Sequence, residues 1–403
     1  MSLSTLPKFK AAVAARPAEL EQARKNGRKV VGWLNYNTPE EIIHALGLIP
    51  VQLGIGGDDK LVDLGGSFIS TKNCVYVRET VGLFAENKNP LVALSDIIAV
   101  DATCLQIYRV AELIEYYFKR DVVILDVPKN PTTSEGRTYF QKEVAAFARV
   151  LGEKTGTKLG TAALQKSIDL YREIRATVQE IYRYQAVATP VITWREVRDV
   201  IHARYSLDPV LYLQLVKELR DELHVLAGAT PYLEDSPEVR IMISGSILPP
   251  GDNKLIQLIE SNGGRIVVDD TWSGLVPFLY VDVKAPTPEA VAEAYLERVP
   301  HGALPHLDLK SDRRLKLQHE LVKEYHVDGV IYHTLRYCDP YTFKANETKE
   351  LLKQIKIPLL EIHTEYAGSD IEAIRTRAEA FIELLRNRRK KFGQQKPKAA
   401  AVA

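Results

Sequence analysis

This sequence predicts an α/β fold: two parallel-sheet domains joined by a helical segment. Three observations carry that expectation. Short runs that are apolar throughout recur along the chain, and they alternate with amphipathic stretches at helical spacing. The alternation stops between about residues 161 and 228 and then resumes. Strands apolar on both faces belong to parallel sheets covered on both sides. At 403 residues, there is chain enough for two or three domains of ordinary size, each with its own core.

Residues 1–28 read as a charged helical lead-in. Lys29–Leu34 (KVVGWL) has strand length, and Thr38-Pro39-Glu40-Glu41 follows as a helix start, with Thr38 at the N-cap and Glu41 as its capping-box partner. Leu48–Leu53 is a second strand, ending in the Gly-rich Gly54-Ile55-Gly56-Gly57, which reads as a flexible loop. Asp96–Val100 and Val122–Asp126 are further strands. Leu105–Phe118 and Ser134–Leu151 carry helical apolar stripes. Residues 29–155 therefore form a first α/β domain and 156–235 a helical connector. Residues 236–387 form a second α/β domain, with strands at Val239–Ser244, Arg265–Val268, Gly329–His333 and Ile357–Ile362. Both domains are expected to be Rossmann-like, in flavodoxin-like order. The stretch 388–403 begins Arg388-Arg389-Lys390-Lys391 and reads as a basic, solvated tail.

Composition narrows the function. Lys and Arg total 53 against 52 Asp and Glu, so there is no basic excess of the kind that holds a protein to nucleic acid. No stretch approaches the roughly 18 apolar residues of a membrane span. The first residues lack a secretory h-region, so the cytoplasm is the expected compartment. Three Cys are too few, and odd in number, for a disulfide scaffold. The Gly54–Gly57 loop lacks the Lys-Ser/Thr of a nucleotide-binding P-loop.

The cysteines are the sharpest chemical feature. Cys104 and Cys338 each follow a predicted parallel strand, where open α/β sheets place ligands. Cys74 and Cys104 begin helices, whose N-terminal dipoles favour thiolate, the metal-binding form. No Cys-x-x-Cys is present, so neither a ferredoxin run nor a zinc ribbon is indicated. Three buried, inert thiols are the plain alternative. Glu41 is a candidate acid/base group, and Arg78, four residues beyond Cys74, would share its helical face. His333 ends a second-half strand, where a proton donor is useful.

Several of these segments resemble a known family. Pro39–Val51 (PEEIIHALGLIPV) is similar to the N-terminal signature of the 2-hydroxyacyl-CoA dehydratase and benzoyl-CoA reductase superfamily. Cys74–Arg78, Asp101–Cys104 and Tyr337–Pro340 resemble its three cluster-binding segments, in order. Gly245-Ser246 with Pro249-Pro250, and Val267–Asp270, resemble its second-half pattern. The resemblance implies that Cys74, Cys104 and Cys338 ligate one [4Fe-4S] cluster, leaving one iron without a protein ligand. It implies an activator ATPase with its own [4Fe-4S] cluster as electron donor. Members dehydrate 2-hydroxyacyl-CoA thioesters or reduce benzoyl-CoA; in a double-cubane branch, two clusters share a bridging sulfide and small molecules are reduced. Two departures stand out. Leu105-Gln106-Ile107-Tyr108-Arg109 replaces the Gly-Lys-Lys run that often follows the second Cys, and Thr271-Trp272-Ser273-Gly274 stands where relatives commonly carry Cys.

The first reading is therefore the catalytic component of an ATP-dependent two-component anaerobic reductase, closest in character to the double-cubane branch. A two-fold homodimer would join two clusters as an [8Fe-9S] unit. The second is a subunit of a radical dehydratase or benzoyl-CoA reductase, in a heterodimer with a homologous chain and acting on an acyl-CoA. Outside catalysis, the alternatives are a two-lobed protein that closes on a small ligand and a cluster-free scaffold subunit.

Overall fold

A computed structural model describes residues 3–187, 190–227, 238–304 and 312–393. Helix α1 (Leu6–Lys25) leads into β1 (Val30–Leu34), α2 (Glu40–Ala45), β2 (Ile49–Gln52), α3 (Asp59–Gly65), α4 (Val75–Glu86) and α5 (Pro90–Leu94). Then come β3 (Ile97–Asp101), α6 (Leu105–Tyr116), β4 (Val122–Leu125) and α7 (Ser134–Thr155). Every residue of β1, β2 and β3 is buried, as a sheet covered on both faces requires. The four strands pair in parallel in the order β2-β1-β3-β4. Helices α3 and α4 approach backbone to backbone: a Cβ on Gly65 would stand 1.8 Å from the Arg78 carbonyl oxygen, and one on Gly82 1.9 Å from that of Leu61.

Three helices, α8 (Thr161–Arg183), α9 (Trp194–Ala203) and α10 (Pro209–Ala227), separate the sheets in sequence. In space α8 bridges them. Its Arg175 pairs with Glu41 beneath the first sheet, while its Tyr182 hydroxyl donates to Asp269 of the second. The second sheet holds β5 (Val239–Gly245), β6 (Gly264–Asp269), β7 (Gly329–Leu335) and β8 (Leu359–Thr364), again all parallel and ordered β6-β5-β7-β8. Helices α11 (Lys254–Ser261), α12 (Pro288–Glu297), α13 (Arg313–Glu324), α14 (Asp339–Gln354) and α15 (Ile371–Gly393) complete it. Both sheets thus have flavodoxin-like order, with a topological switch point beside their first strand.

The structure departs from the sequence reading at four places. Pro39, not Thr38, caps α2, with no side-chain cap bond, and Thr38 instead donates to Asp101 at 3.3 Å. The capping box of Thr38 and Glu41 is therefore absent, because Glu41 is drawn to Arg175. Helix α12 lies within the stretch 236–387 yet packs on the first unit: Arg137 of α7 binds Glu293 at 2.7 Å and Glu297 at 2.6 Å. Residues 388–393 continue α15 rather than fraying. Arg388 donates to the Lys356 carbonyl at 3.0 Å, and Arg389 to the Glu238 carbonyl and, at 3.2 Å, to Asp328. The remainder of the predicted tail, 394–403, lies outside the described residues, as does 228–237 at the connector's end.

The fourth departure is the Gly-rich loop, which is a close approach and not a flexible element. The Gly56 amide donates to the Pro250 carbonyl at 2.8 Å. A Cβ on Gly56 would fall 2.3 Å from the Pro249 ring. The loop is thus one side of a tight seam between the two halves. Among the described residues, no helix is long and apolar enough to cross a membrane.

Candidate functional site

Each cysteine occupies the N-cap of a helix: Cys74 of α4, Cys104 of α6 and Cys338 of α14. Cys104 follows the end of β3, and Cys338 occupies the equivalent place after β7. Those strands flank the switch points of their sheets, so the two thiols are related by the repeat of the fold. Tyr337, at φ 65°, turns the chain into α14.

The three cysteines meet. The Cys74 and Cys338 thiols are near enough to act directly on each other's proton, while the charge of Cys74 acts on Cys104 and that of Cys104 on Cys338. All three are free thiols; Cys74 is buried and the other two half-buried. One side chain ties their segments together. Gln106 Oε1 accepts the Cys74 backbone amide at 2.7 Å, and Gln106 Nε2 donates to the Tyr337 carbonyl at 3.1 Å. Gln106 is itself two residues past Cys104. The Val75 amide adds a 3.4 Å bond to the Arg336 carbonyl.

Their electrostatics follow from crowding. The Cys338 thiol holds Cys74 below the ordinary thiol value, helped by the backbone amides of Val77 and Tyr76 and by the Arg78 charge. The same shared proton, then burial, raises Cys338 well above it. Burial also pushes Cys104 up, opposed by the amides of Gln106 and Ile107 and by Lys129. Lys129 is anchored there by the Ala102 and Thr103 carbonyls at 2.7 and 3.1 Å. Without a cationic centre, then, Cys104 and Cys338 hold their protons; a metal centre would displace them.

Among the described residues, no three His, Cys, Asp or Glu side chains are grouped to hold a single metal ion. A cubane makes a different demand, since its thiolates bind separate iron corners and stand further apart than ligands of one ion. The donor set fits such a cluster: three thiols, no competing oxygen ligand in the trio, and helix amides directed at the sulfurs.

The remaining candidates are placed as follows. Arg78 is buried beside Cys74, where its Nε donates to the Asn73 carbonyl at 3.2 Å and its guanidinium lies 4.0 Å from Glu365. Glu41 sits instead in a buried network with Arg175 and with Tyr295, whose hydroxyl donates to it at 2.7 Å. Burial raises the Glu41 carboxyl, but Arg175 and these hydrogen bonds outweigh burial and hold it below the usual carboxylate range. His333 is buried within β7, 2.7 Å from Thr364 Oγ1, with Nδ1 unpartnered. Burial, then the Lys254 and His363 charges, push His333 down to about 3, so it is a neutral core imidazole and no imidazolium donor is available there.

Sequence reasoning missed Gln106, Lys129 and Glu79, the last fully buried on α4. Gln106 carried no readable signal, because its partners are 32 and 231 residues away.

Comparison with known proteins adds an independent line. A sequence model of the family described as 2-hydroxyglutaryl-CoA dehydratase, D-component, matches residues 35–385. A putative dehydratase subunit of Escherichia coli is 24% identical over 90% of this chain and 93% of its own. One of the subunits of benzoyl-CoA reductase from Thauera aromatica is 25% identical, covering 89% and 91%. The (R)-phenyllactyl-CoA dehydratase beta subunit of Clostridium sporogenes is 22% identical, covering 91% and 94%.

Proposed function

Because this chain belongs to the 2-hydroxyglutaryl-CoA dehydratase D-component family, we propose that it is the iron–sulfur-bearing subunit of an enzyme that dehydrates or reduces an acyl-CoA thioester. The observation that carries this reading is the meeting of Cys74, Cys104 and Cys338 at three helix N-termini. The names of the relatives, all subunits of CoA-ester enzymes or of a dehydratase, favour this over the double-cubane small-molecule reductase of the first expectation.

Cys74, Cys104 and Cys338 would hold one [4Fe-4S] cluster, which when bound supplies one-electron transfer and an iron corner free of protein ligand. The chain's own residues supply the rest. Amides of α4, α6 and α14 stabilise sulfur charge. Gln106 fixes the separation of the three segments, and Lys129 and Arg78 place positive charge beside the thiolates. Packing of the two halves buries Cys74 and restricts water around it, one of the levers on such a site's potential.

Partners belong to the same reading. Leu105 is 67% and Phe343 77% exposed, one next to Cys104 and the other five residues past Cys338. Apolar side chains left open beside the site suit a subunit seated over it: a homologous chain, or a second copy. Electrons would come from a separate activator ATPase.

The experiment is anaerobic assay of the purified chain with a homologous subunit, an activator, ATP and a panel of 2-hydroxyacyl-CoA thioesters and benzoyl-CoA. Turnover of a thioester that is lost in Cys104→Ser is expected. Acetylene or azide reduction without any thioester turnover would overturn the reading in favour of a double-cubane reductase.

A further inference from the structure

Three polar atoms with no hydrogen-bond partner are buried at the seam near Cys74: Glu79 Oε2, Asp252 Oδ2 and the Tyr366 hydroxyl. Their residues are 0%, 4% and 8% exposed. They come from three separate elements, α4, the loop after β5 and the loop after β8, and lie about the Gly54–Gly57 loop. A Cβ on Gly56 would stand 3.0 Å from the Tyr366 hydroxyl and 3.3 Å from Asp252 Cβ, while the Asp58 amide donates to Glu79 Oε1 at 3.0 Å. Buried polar atoms without a partner are costly, so three together at one seam call for an occupant.

Nearby cations are committed elsewhere. Arg198 donates to the carbonyls of Pro249 and Asp252 at 2.8 and 2.9 Å and to Asn253 Oδ1 at 2.8 Å. Lys254 is held by the Glu365 and Ala367 carbonyls and by Asp370 at 2.5, 2.9 and 2.5 Å. Arg78 is bound to Asn73 and faces Glu365. Among the described residues no group here is arranged to hold a metal ion. Arg198 and Lys254 pull on Asp252, whereas the charges that act on Glu79 are those of Asp252 and Asp58, so the Glu79 carboxyl keeps a proton.

We infer that Glu79, Asp252 and Tyr366, bridged by internal water, form a proton relay that stores a proton at the seam and delivers it to the crevice beside Cys74. Burial, then the charges of Asp252 and Asp58, push Glu79 up to about 9. Burial pushes Asp252 up to about 6 against the pull of Arg198 and Lys254, with Asp370 adding to the rise. Tyr366 is raised by burial and by Glu79, Asp252, Cys74 and Tyr76, so it passes protons as a hydroxyl rather than ionising. The neighbours of Asp252, Pro250, Gly251 and Asn253, line a groove of about 470 Å³ between α1 and α9, which is the entry from solvent. The balance closes: Glu79 releases a proton towards the crevice, its carboxylate takes one through water from Asp252, and Asp252 takes one from the groove. The use of these protons, to protonate a leaving hydroxyl or a reduced acyl group, rests on the proposed thioester chemistry; the stored proton does not.

The test begins with the cluster-free full chain. Infrared spectra at neutral pH in H2O and D2O should show a protonated-carboxyl band that shifts with isotope and loses one component in Glu79→Gln. A wild type without such a band, or an unchanged band in the variant, overturns the inference, and neither result bears on the function proposed above. Should Glu79→Gln not fold, Asp252→Asn serves instead: with the neighbouring charge removed, the band should vanish at lower pH, and an unmoved midpoint counts against the relay. In cluster-loaded enzyme, Glu79→Gln and Tyr366→Phe should slow turnover at least about tenfold and enlarge the solvent isotope effect, with iron, sulfide and spectra unchanged and partial rescue by Glu79→Asp. Full turnover with an unaltered isotope effect overturns it.

Discussion

Gln106 accepts from one cysteine segment and donates to another while sitting in the third. Replacing it with Ala strands the Cys74 amide and the Tyr337 carbonyl, at a cost of about 1–3 kcal/mol. Chemical denaturation of the cluster-free protein should show that loss, and the loaded protein should release iron faster than wild type. Unchanged stability and iron retention would remove Gln106 from the site. Arg175 makes a harder case. It neutralises Glu41, whose carboxyl is fully buried, so Arg175→Met leaves an unpaired interior charge and should cost about 3–5 kcal/mol in urea unfolding; a loss below about 1 kcal/mol would show that Glu41 finds another partner. At this scale the sequence is uneven. The cysteines draw notice in the sequence because each begins a helix and two of them follow parallel strands, although a buried inert thiol reads the same way. Gln106 and Glu79 are not, since their meaning comes entirely from partners remote in sequence. Glu41 misleads for a physical reason: a cap bond offers about 1 kcal/mol, and a buried guanidinium offers an ionised carboxylate far more.

Among the elements, the Gly-rich loop and the α2 start show where pattern reading stops. A true capping box does occur, at Thr193–Glu196 of α9, with the same Thr-x-x-Glu spacing that fails at Thr38. The motif is local, and the tertiary partner decides whether it forms. The inner strands were readable because burial on both faces, as in β1 and β3, leaves a nearly unbroken apolar run. Helix α12 has a readable start in Thr287-Pro288-Glu289, which the sequence reading passed over; its place on the first unit was not readable, because the seat of a crossing helix is set by the partner surface. For the Gly54–Gly57 loop, Gly56→Ala should destabilise by about 1–3 kcal/mol through overpacking against Pro249. Gly368→Ala, with nothing within 4 Å of its added Cβ, should not; equal effects would contradict the seam. Glu79 adds a pH signature. Its carboxyl rises from the usual 4.5 to about 9, so its stabilising proton is fully present below the unfolded value and lost as pH climbs through the folded one. Wild-type stability should therefore fall relative to Glu79→Gln between about pH 5 and about pH 8.5 in urea titrations. Parallel pH profiles would mean that Glu79 is ionised in the fold.

For the whole molecule, the organising fact is repetition. Two sheets of the same order place Cys104 and Cys338 at matching positions, and α8 holds the halves together so that both face one crevice. That symmetry was legible as two α/β blocks; the seam and the crossing of α12 required coordinates. The exposed Leu105 and Phe343 lie on surface, where a change to Asp should leave folding within about 0.5 kcal/mol. The double variant should nonetheless weaken association with a second copy or a homologous subunit at least about tenfold in sedimentation experiments, and undiminished association would place the partner elsewhere.

The central claim, that three separated cysteines converge to hold an iron–sulfur centre, is tested most directly by counting. Iron and acid-labile sulfide should be measured on the chain purified without oxygen, beside Cys338→Ser. About four of each per chain, with a sharp loss in the variant, is the predicted result. A folded, oxygen-free wild type devoid of iron and sulfide would contradict it.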